Sequence, residues 1–355
     1  MILYSSTLDN SKPIKGIVND FPYVTEVIAQ DLVVPWAIAI SEESKLYVTE
    51  RNGKVRVIED GILLTEPLIT LHAPFVSRGE SGLHGIALDP YFSQNHYIYI
   101  MYSYTEGGKL YNRIDRLVEE ENSARIDGTI IDQIPGGETH NGGRIKIGPD
   151  NKIYVLTGDT GNRNLSQDLS SLAGKILRLE LDGSIPSDNP FPNSLVYCYG
   201  LRNPQGLAWS QDNQLYASEH GQRANDEINL ILAGANYGWP VVEGDEESAN
   251  ENFIRPLISS GGDTWAPSGI AFVTKGPWSG KLLAATLLGS QLLSFTLNRE
   301  GTGIIQIESW LWNQYGRLRE VIESKDGSIY LSTSNRDGRG NMRTGYDMII
   351  RLMLR

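Results

Sequence analysis

The chain repeats one short phrase along its length, and this repeat constrains the fold more than any other feature. The phrase is an apolar strand, a polar turn, and a second strand of the form Leu/Ile-Tyr-apolar that often closes on Thr or Ser. Copies are spaced by roughly 50 to 65 residues, which suits a four-stranded blade with loop insertions. The six pairs of segments are 37–40 with 46–49, 86–88 with 98–100, 145–147 with 153–157, 207–209 with 215–218, 270–273 with 282–285, and 321–322 with 329–332.

A unit of this kind cannot bury both faces of its sheet alone, but six units stacked around an axis can. The repeat therefore predicts an all-β fold, a six-bladed β-propeller of four-stranded antiparallel blades. We expect a single domain over 1–355, with 1–20 as a poorly ordered or peripheral segment. The terminal strands 24–28 and 348–352 are predicted to complete one blade together and so to remove an open edge. A sandwich of generic hairpins is the alternative.

Composition agrees with a β fold and excludes some classes of partner. The 37 glycines favour turns and strands over long helices, and the net charge of -12 opposes binding to nucleic acid. Apolar runs such as 32–40 and 282–288 fall well short of the roughly 20 residues of a membrane span. The single cysteine, Cys198, allows no intramolecular disulfide and does not reveal the compartment. We expect a soluble chain without a signal peptide, since its beginning lacks a basic segment followed by an apolar one.

His140 is the strongest candidate for proton transfer. It stands just before Asn141-Gly142-Gly143 and the strand that follows, so its imidazole should lie on a loop at one rim of the propeller. Histidine can take a proton from a substrate hydroxyl near neutral pH. On its own such a residue is more often a surface histidine bonded to a turn, and its significance depends on its neighbours.

Three arginines could supply an anion-binding site. Arg202 and Asn203 precede a proline that restricts Asn203 to an extended conformation, so both side chains are presented from a stiffened turn. Arg317 and Arg319 alternate as strand residues do, and therefore point to one face. Guanidinium groups that converge on one cavity can bind a polycarboxylate through forked hydrogen bonds. Singly, each arginine is more often a solvated surface residue or an ion-pair partner.

The turn containing Gly221 and Gln222 is a candidate cation site. A tight turn exposes carbonyl oxygens, and calcium binds carbonyl and carboxylate oxygens. The sequence has no EF-hand spacing, so an ordinary glycine turn remains the alternative. It also has no GxSxG elbow, Walker loop or GxGxxG motif, which removes the commonest hydrolase, nucleotide and NAD functions.

A series of short segments occurs in order between about residue 34 and residue 331. They are GLHGIA (82–87), HNGGR (140–144), GD (158–159), GKILR (174–178), LDGSIP (181–186), RNPQGL (202–207), DEIN (226–229), NYGWP (236–240), APSG (266–269) and GRLRE (316–320). Taken together, these segments resemble the soluble PQQ-dependent aldose sugar dehydrogenases, the glucose/sorbosone dehydrogenase family.

The resemblance implies the fold predicted above and a specific chemistry. Members of this family oxidise the C1 hydroxyl of aldoses to lactones and pass a hydride to pyrroloquinoline quinone (PQQ), which is held by calcium. By resemblance, His140 is the general base and Asp159 supports its imidazole or contacts the cofactor. The residues implied to bind the quinone are Arg202, Asn203, Arg317, Arg319 and Thr264.

The resemblance also implies substrate and metal positions. Glu80 and Asn164 match positions that touch sugar hydroxyls, and the carbonyls of Gly221 and Gln222 match those that hold the cofactor calcium. A second, structural calcium would use Glu227 and the carbonyl of Tyr237. The family further implies a periplasmic or extracellular location and a monomer or homodimer, whose electron acceptor the sequence does not identify.

Two residues depart from the family pattern. Many relatives carry a quinone-contacting lysine where this chain has Leu288, and a proline where it has Gln222. The lost cation should weaken cofactor binding, whereas Gln222 would act through its backbone carbonyl and should matter less. Two other functions remain open: a non-catalytic propeller that binds a protein or polysaccharide, and a calcium-dependent lactonase, which would need several carboxylate and amide side chains on one axial metal.

Overall fold

The computed structural model of the protein describes residues 20–246, 252–339 and 347–355. These residues form six antiparallel sheets, and the innermost strands pack against one another in a closed circle. The fold is a six-bladed β-propeller, which confirms the prediction from the repeat. The peripheral segment predicted over 1–20 lies, apart from residue 20, outside the described residues.

Each of the six pairs of repeated segments becomes the first two strands of one blade. Blade 1 contains β2 (Pro35–Ile40), β3 (Leu46–Glu50), β4 (Lys54–Glu59), β5 (Ile62–Leu63) and β6 (Ile69–Thr70). Blade 2 contains β7 (Leu83–Leu88), β8 (Tyr97–Glu106), β9 (Lys109–Glu120) and β10 (Ser123–Pro135). Blade 3 contains β11 (Ile145–Ile147), β12 (Ile153–Thr157), β13 (Lys175–Leu179) and β14 (Val196–Tyr199).

Blades 4 to 6 follow the same order from the axis outward. Blade 4 contains β15 (Pro204–Trp209), β16 (Leu215–Glu219), β17 (Glu227–Ile231) and β18 (Ile258–Ser259). Blade 5 contains β19 (Pro267–Phe272), β20 (Leu282–Thr286), β21 (Leu292–Leu297) and β22 (Ile304–Trp310). Blade 6 contains β23 (Leu318–Glu323), β24 (Ile329–Thr333), β25 (Asp347–Leu354) and β1 (Tyr23–Leu32). The described residues also include one short α-helix, Phe92–Asn95, and two 3-10 helices, Arg163–Ser166 and Gly276–Trp278.

The last blade is built from both ends of the described chain. Strand β1 pairs antiparallel with β25, so that Tyr23 lies opposite Leu354 and Val27 opposite Ile350. This pairing confirms the predicted joint blade. It gives the final sheet its fourth strand and closes the ring without leaving β25 as an open edge.

The core is divided among the interfaces between neighbouring blades. Six clusters of buried apolar side chains lie among the described residues, and each joins two adjacent sheets. The recurring tyrosines belong to these clusters: Tyr47 packs between blades 1 and 2, and Tyr99 between blades 2 and 3. The repeated phrase therefore encodes the blade-to-blade contact, which explains why it recurs once per blade.

A buried ion pair crosses the axis of the ring. Arg144 begins blade 3 and Glu320 lies on the inner strand of blade 6, directly across the propeller, and the two side chains are 1% and 0% exposed. Arg144 Nη1 donates to Glu320 Oε2, and Arg144 Nε donates to Gln205 O at 3.0 Å. Trp36 lies beneath the guanidinium, 4.3 Å from ring centre to Cζ.

Small residues at the equivalent positions make room for this pair. A Cβ atom on Gly269 would lie 2.1 Å from Glu320 Oε1, and one on Gly206 would lie 2.3 Å from Ser268 O. The six equivalent positions immediately precede Ile38, Ile86, Ile145, Leu207, Ile270 and Val321 on the inner strands, and they hold Ala37, Gly85, Arg144, Gly206, Gly269 and Glu320.

No helix among residues 20–246, 252–339 and 347–355 is long and apolar enough to cross a membrane.

We predict that Glu320→Gln lowers the free energy of unfolding by about 3–5 kcal/mol, because it leaves the Arg144 charge buried without its counter-ion. The double variant Arg144→Met, Glu320→Leu should recover most of this loss. Urea denaturation measures both values. The control is Arg125→Met, which removes an exposed ion pair with Glu120 and should cost less than about 1 kcal/mol. A loss for Glu320→Gln no larger than that of the control would contradict the assigned role.

Candidate active site

A cavity of about 340 Å³ opens at the end of the ring where the inner strands begin. Its walls come from the inner strands and the loops that enter them in all six blades, and from the loops that follow the second strand of blades 1, 4, 5 and 6. The lining residues are Trp36, Arg51, Glu80, His84, Asn141, Gly142, Asn203, Gln205, His220, Thr264, Ala266, Leu287, Leu288, Arg317, Arg319, Asp337 and Arg339.

His140 and Asp159 form a hydrogen-bonded pair beside this cavity. His140 Nδ1 lies 2.7 Å from Asp159 Oδ1, and Trp239 Nε1 donates to Asp159 Oδ2 at 2.9 Å. Burial alone would raise the pKa of Asp159, but the hydrogen bonds from His140, Gly161 and Trp239 outweigh burial and lower it. Asp159 is therefore a carboxylate at neutral pH, and it fixes the imidazole with Nδ1 protonated and Nε2 as the acceptor.

The acceptor nitrogen of His140 faces Arg202. Arg202 Nη2 lies 3.0 Å from His140 Nε2, and Arg202 Nη1 donates to His220 O at 3.1 Å. The guanidinium also lies over Trp239, 5.5 Å from the ring centre. The same indole therefore holds Asp159 by its N–H and supports Arg202 by its face. Sequence reasoning predicted Arg202 and His140 but missed Trp239, which is part of the NYGWP phrase.

The backbone of His140 is held in a left-handed conformation, with φ at 53°. This conformation is costly for a residue with a Cβ and persists only where the surroundings impose it. Glu80 Oε2 accepts a hydrogen bond from His140 N at 2.8 Å, and Thr160 N donates to His140 O at 3.2 Å. Glu80, predicted as a sugar contact, therefore also orients the candidate base.

Arg317 and Arg319 lie on one wall of the cavity and share one carboxylate. Asp337 Oδ2 accepts from Arg317 Nη2 at 2.9 Å and lies 3.5 Å from Arg319 Nη2. Burial lowers the pKa of Arg319 to about 10, so the side chain stays charged at neutral pH. Two cations against one anion leave this wall positive, as the prediction of an anion site requires.

Of the other predicted cofactor and substrate residues, two line the cavity and one does not. Asn203 is buried and lines the cavity, and its Oδ1 accepts from Gly142 N at 3.1 Å, which joins two neighbouring blades. Thr264 also lines the cavity and donates its hydroxyl hydrogen to Arg223 O at 2.8 Å. Asn164, predicted to touch sugar, is exposed on the short 3-10 helix and does not line the cavity.

The turn at Gly221 and Gln222 lies next to the cavity, since His220 is a lining residue. Asp226 Oδ1 accepts from Gly221 N at 3.1 Å, and the other oxygen of this carboxylate accepts from Trp265 N at 2.7 Å. A Cβ on Gly221 would lie 1.9 Å from Ala224 O, so the compact turn requires glycine.

Gly221, Glu227 and Tyr237 line one small cleft behind this turn. Glu219 faces Glu227 across two adjacent strands, and burial together with the neighbouring carboxylate raises the pKa of Glu219. Asn229 Nδ2 donates to Glu227 Oε2 at 2.9 Å. The predicted residues for the second calcium are thus adjacent, but the described part of the chain contains no group of three or more His, Cys, Asp or Glu side chains suited to a metal.

Two histidines that line the cavity, the buried His84 and the half-buried His220, were not predicted to take part. Burial lowers the pKa of His84 to about 4 and that of His220 to about 3, and nearby arginines add to both effects. Both imidazoles are therefore neutral at neutral pH. His220 Nε2 and His84 Nδ1 have no hydrogen-bond partner within the described chain. Burial of the two rings, together with the positions of the surrounding arginines, produces this neutral state, and sequence alone gives neither.

Comparison with known proteins identifies the family to which this fold and site belong. Residues 32–351 match the Glucose / Sorbosone dehydrogenase family, and the chain is a member of it. The family is one of oxidoreductases, so the class of protein is an enzyme, as the resemblance implied.

Individual relatives agree with this assignment. The PQQ-bound aldose sugar dehydrogenase of Streptomyces coelicolor is 36% identical, with a TM-score of 0.84 over 94% of this chain and 98% of its own. A proposed oxidoreductase (glucose dehydrogenase) of Thermus thermophilus is 40% identical, with a TM-score of 0.86 over 93% and 100%. Aldose sugar dehydrogenase YliI of Escherichia coli is 31% identical over 88% of this chain and 90% of its own.

We predict that Trp239→Phe raises the pKa of Asp159 toward its ordinary value, because it removes one hydrogen bond to the carboxylate and keeps the aromatic face. Because folding lowers this pKa, the ionised carboxylate stabilises the fold at pH values above about 4. This stabilisation is lost as the pH falls through the folded-state pKa. The variant should therefore lose stability at a higher pH than the wild type. Carboxyl-detected NMR titration measures the shift, with Trp209→Phe as the control. An unchanged Asp159 titration would contradict this interpretation.

Proposed function

We propose that the protein is a PQQ-dependent aldose sugar dehydrogenase that oxidises the C1 hydroxyl of its substrate to a lactone. The observation that carries the proposal is the His140–Asp159 pair, which leaves Nε2 as the acceptor, beside a cavity walled by arginines. The similarity to the PQQ-bound enzyme of Streptomyces coelicolor supports the same function.

The residues around the cavity fit a flat, polycarboxylated quinone. Arg317 and Arg319 line the cavity and Arg202 lies beside it, and guanidinium groups can bind carboxylates with two parallel hydrogen bonds. The neutral His220 contributes a buried ring nitrogen that lacks a hydrogen-bond partner within the described chain, and a polar ligand could satisfy it. When bound, PQQ supplies the hydride acceptor and calcium supplies charge that polarises it.

His140 would remove the proton from the C1 hydroxyl. Its Nε2 is the acceptor because Nδ1 donates to Asp159, and the carboxylate stabilises the imidazolium that forms. Arg202 now contacts the same Nε2 atom. The substrate hydroxyl must therefore share or replace this contact, and Arg202 would remain close enough to stabilise negative charge on the substrate oxygen.

The carbonyls of Gly221 and Gln222 would hold the cofactor calcium. Carbonyl oxygens from a tight turn are suitable ligands for this hard cation, and Asp226 fixes the turn through Gly221 N. Because the ligand atoms belong to the backbone, glutamine can occupy position 222 in place of the proline of relatives. Glu227 and Tyr237 remain the proposed ligands of a second calcium.

The lactonase function is less well supported by this geometry. It requires several carboxylate and amide side chains around one metal on the axis, but the axis is filled by the Arg144–Glu320 pair. No metal-binding group of three acidic, His or Cys residues lies within the described ranges. The non-catalytic propeller differs from our proposal in one measurable property, since it would bind no PQQ at micromolar concentrations.

We predict that the apoprotein, supplied with PQQ and calcium, reduces an artificial electron-accepting dye when an aldose such as glucose is added. His140→Ala should abolish this activity because it removes the group proposed to take the C1 proton. His72→Ala, at an exposed position, serves as the control. Dye reduction that survives unchanged in His140→Ala would rule out His140 as the base.

We predict that Leu288→Lys tightens PQQ binding, because it restores a cation at a residue that is 57% exposed and lines the cavity. A charged hydrogen bond contributes about 1.5–3 kcal/mol, which corresponds to a roughly 10- to 150-fold lower dissociation constant. Absorbance titration of the apoprotein with PQQ measures this change. The matched control is Leu288→Met, and equal affinities for the two variants would show that position 288 does not reach the quinone.

A further inference from the structure

Arg339 forms an ion pair with Glu80 at the rim of the cavity. Arg339 Nη2 lies 2.7 Å from Glu80 Oε1, and both residues line the cavity. The side chain of Arg339 is 61% exposed and that of Glu80 is 27% exposed. Glu80 is therefore the inner member of the pair. Arg339 is the outer member and faces a ligand that enters the cavity.

The inner member is bonded directly to the candidate base. Glu80 Oε2 accepts the hydrogen bond from His140 N, while Oε1 contacts Arg339. The pair and the imidazole consequently belong to one connected group of side chains. A sugar whose C1 hydroxyl reaches His140 would present its neighbouring ring substituents to this rim.

The turn that carries Arg339 is held by the same carboxylate that joins the cofactor arginines. Asp337 Oδ1 accepts from Arg339 N at 2.9 Å, and Asp337 Oδ2 accepts from Arg317 Nη2. Arg51 Nη2 donates to Asp337 O at 3.3 Å. The backbone at Arg339 is thus fixed before any ligand binds, which lowers the entropic cost of using its side chain.

The pair offers hydrogen-bond donors and acceptors side by side. A guanidinium has five N–H donors, and an ion pair with one carboxylate oxygen leaves several of them free. The Glu80 oxygens keep additional lone pairs. Two adjacent hydroxyl groups match this arrangement, since one can donate to the carboxylate while the other accepts from the guanidinium. An analogue that lacks one of them leaves a charged group without its partner.

We propose that Arg339, together with Glu80, is a specificity-determining residue that binds the two hydroxyls next to the oxidised carbon. The substrates are then aldoses with an intact 2,3-diol, and 2-deoxy or 3-deoxy sugars are discriminated against. This inference rests on the proposed function, because it assumes that C1 is oxidised at His140.

The test compares the wild type with Arg339→Met, both loaded with PQQ and calcium, on glucose, 2-deoxyglucose and 3-deoxyglucose. For glucose, kcat/KM should fall roughly tenfold or more, because a charged hydrogen bond is lost. For at least one deoxy sugar, it should fall by clearly less than for glucose, because that sugar lacks the hydroxyl that Arg339 binds. PQQ affinity, measured by absorbance titration, should stay close to that of the wild type.

Two further variants sharpen the result. Arg339→Lys keeps a cation and should recover part of the preference for glucose, and Arg125→Met removes an exposed arginine of similar size and should change nothing. Equal losses on all three sugars, or a large loss of PQQ affinity, would overturn the assignment of Arg339 to the substrate. A wild type that binds PQQ but oxidises no aldose would instead refute the proposed function, and this outcome needs no variant to detect.

Discussion

The propeller depends on one interaction at its centre, the buried pair of Arg144 and Glu320. A charge placed on the axis of a closed ring has no access to water, so it is tolerated only with an opposite charge within reach. Glu320 supplies that charge from the opposite blade, and small residues occupy the remaining equivalent positions. Arg144 also contacts Trp36 and Gln205, both of which line the base of the cavity. The axis and the site are therefore one packed unit.

In the site, too, single residues connect side chains that lie far apart in the sequence. Trp239 holds the carboxylate that orients His140 and lies under Arg202. Asp337 joins Arg317 to the turn that carries Arg339. Such shared partners hold several side chains in one geometry before a ligand binds, which is the general requirement for an efficient site.

The sequence predicted the architecture well because the repeated phrase records a local requirement of every blade. It also predicted that His140, Arg202 and Arg317 would converge. Arg317 lines the cavity, whereas His140 and Arg202 contact each other beside it. It could not predict Trp239, Asp337 or Arg339, whose roles arise from contacts between distant segments. Nor could it show that Asn164 would lie outside the cavity, since a match to a family phrase does not fix the direction of an exposed side chain.

The joint blade formed by β1 and β25 has a consequence for how the chain reaches this structure. One strand of that sheet is made before all the other described strands and its partner after them, so the pairing has a very large sequence separation. Until β25 emerges, β1 has no neighbour in its own blade and exposes an edge able to pair with other chains. Ring closure should therefore be a late, slow event, and nascent chains should be most prone to aggregate just before it.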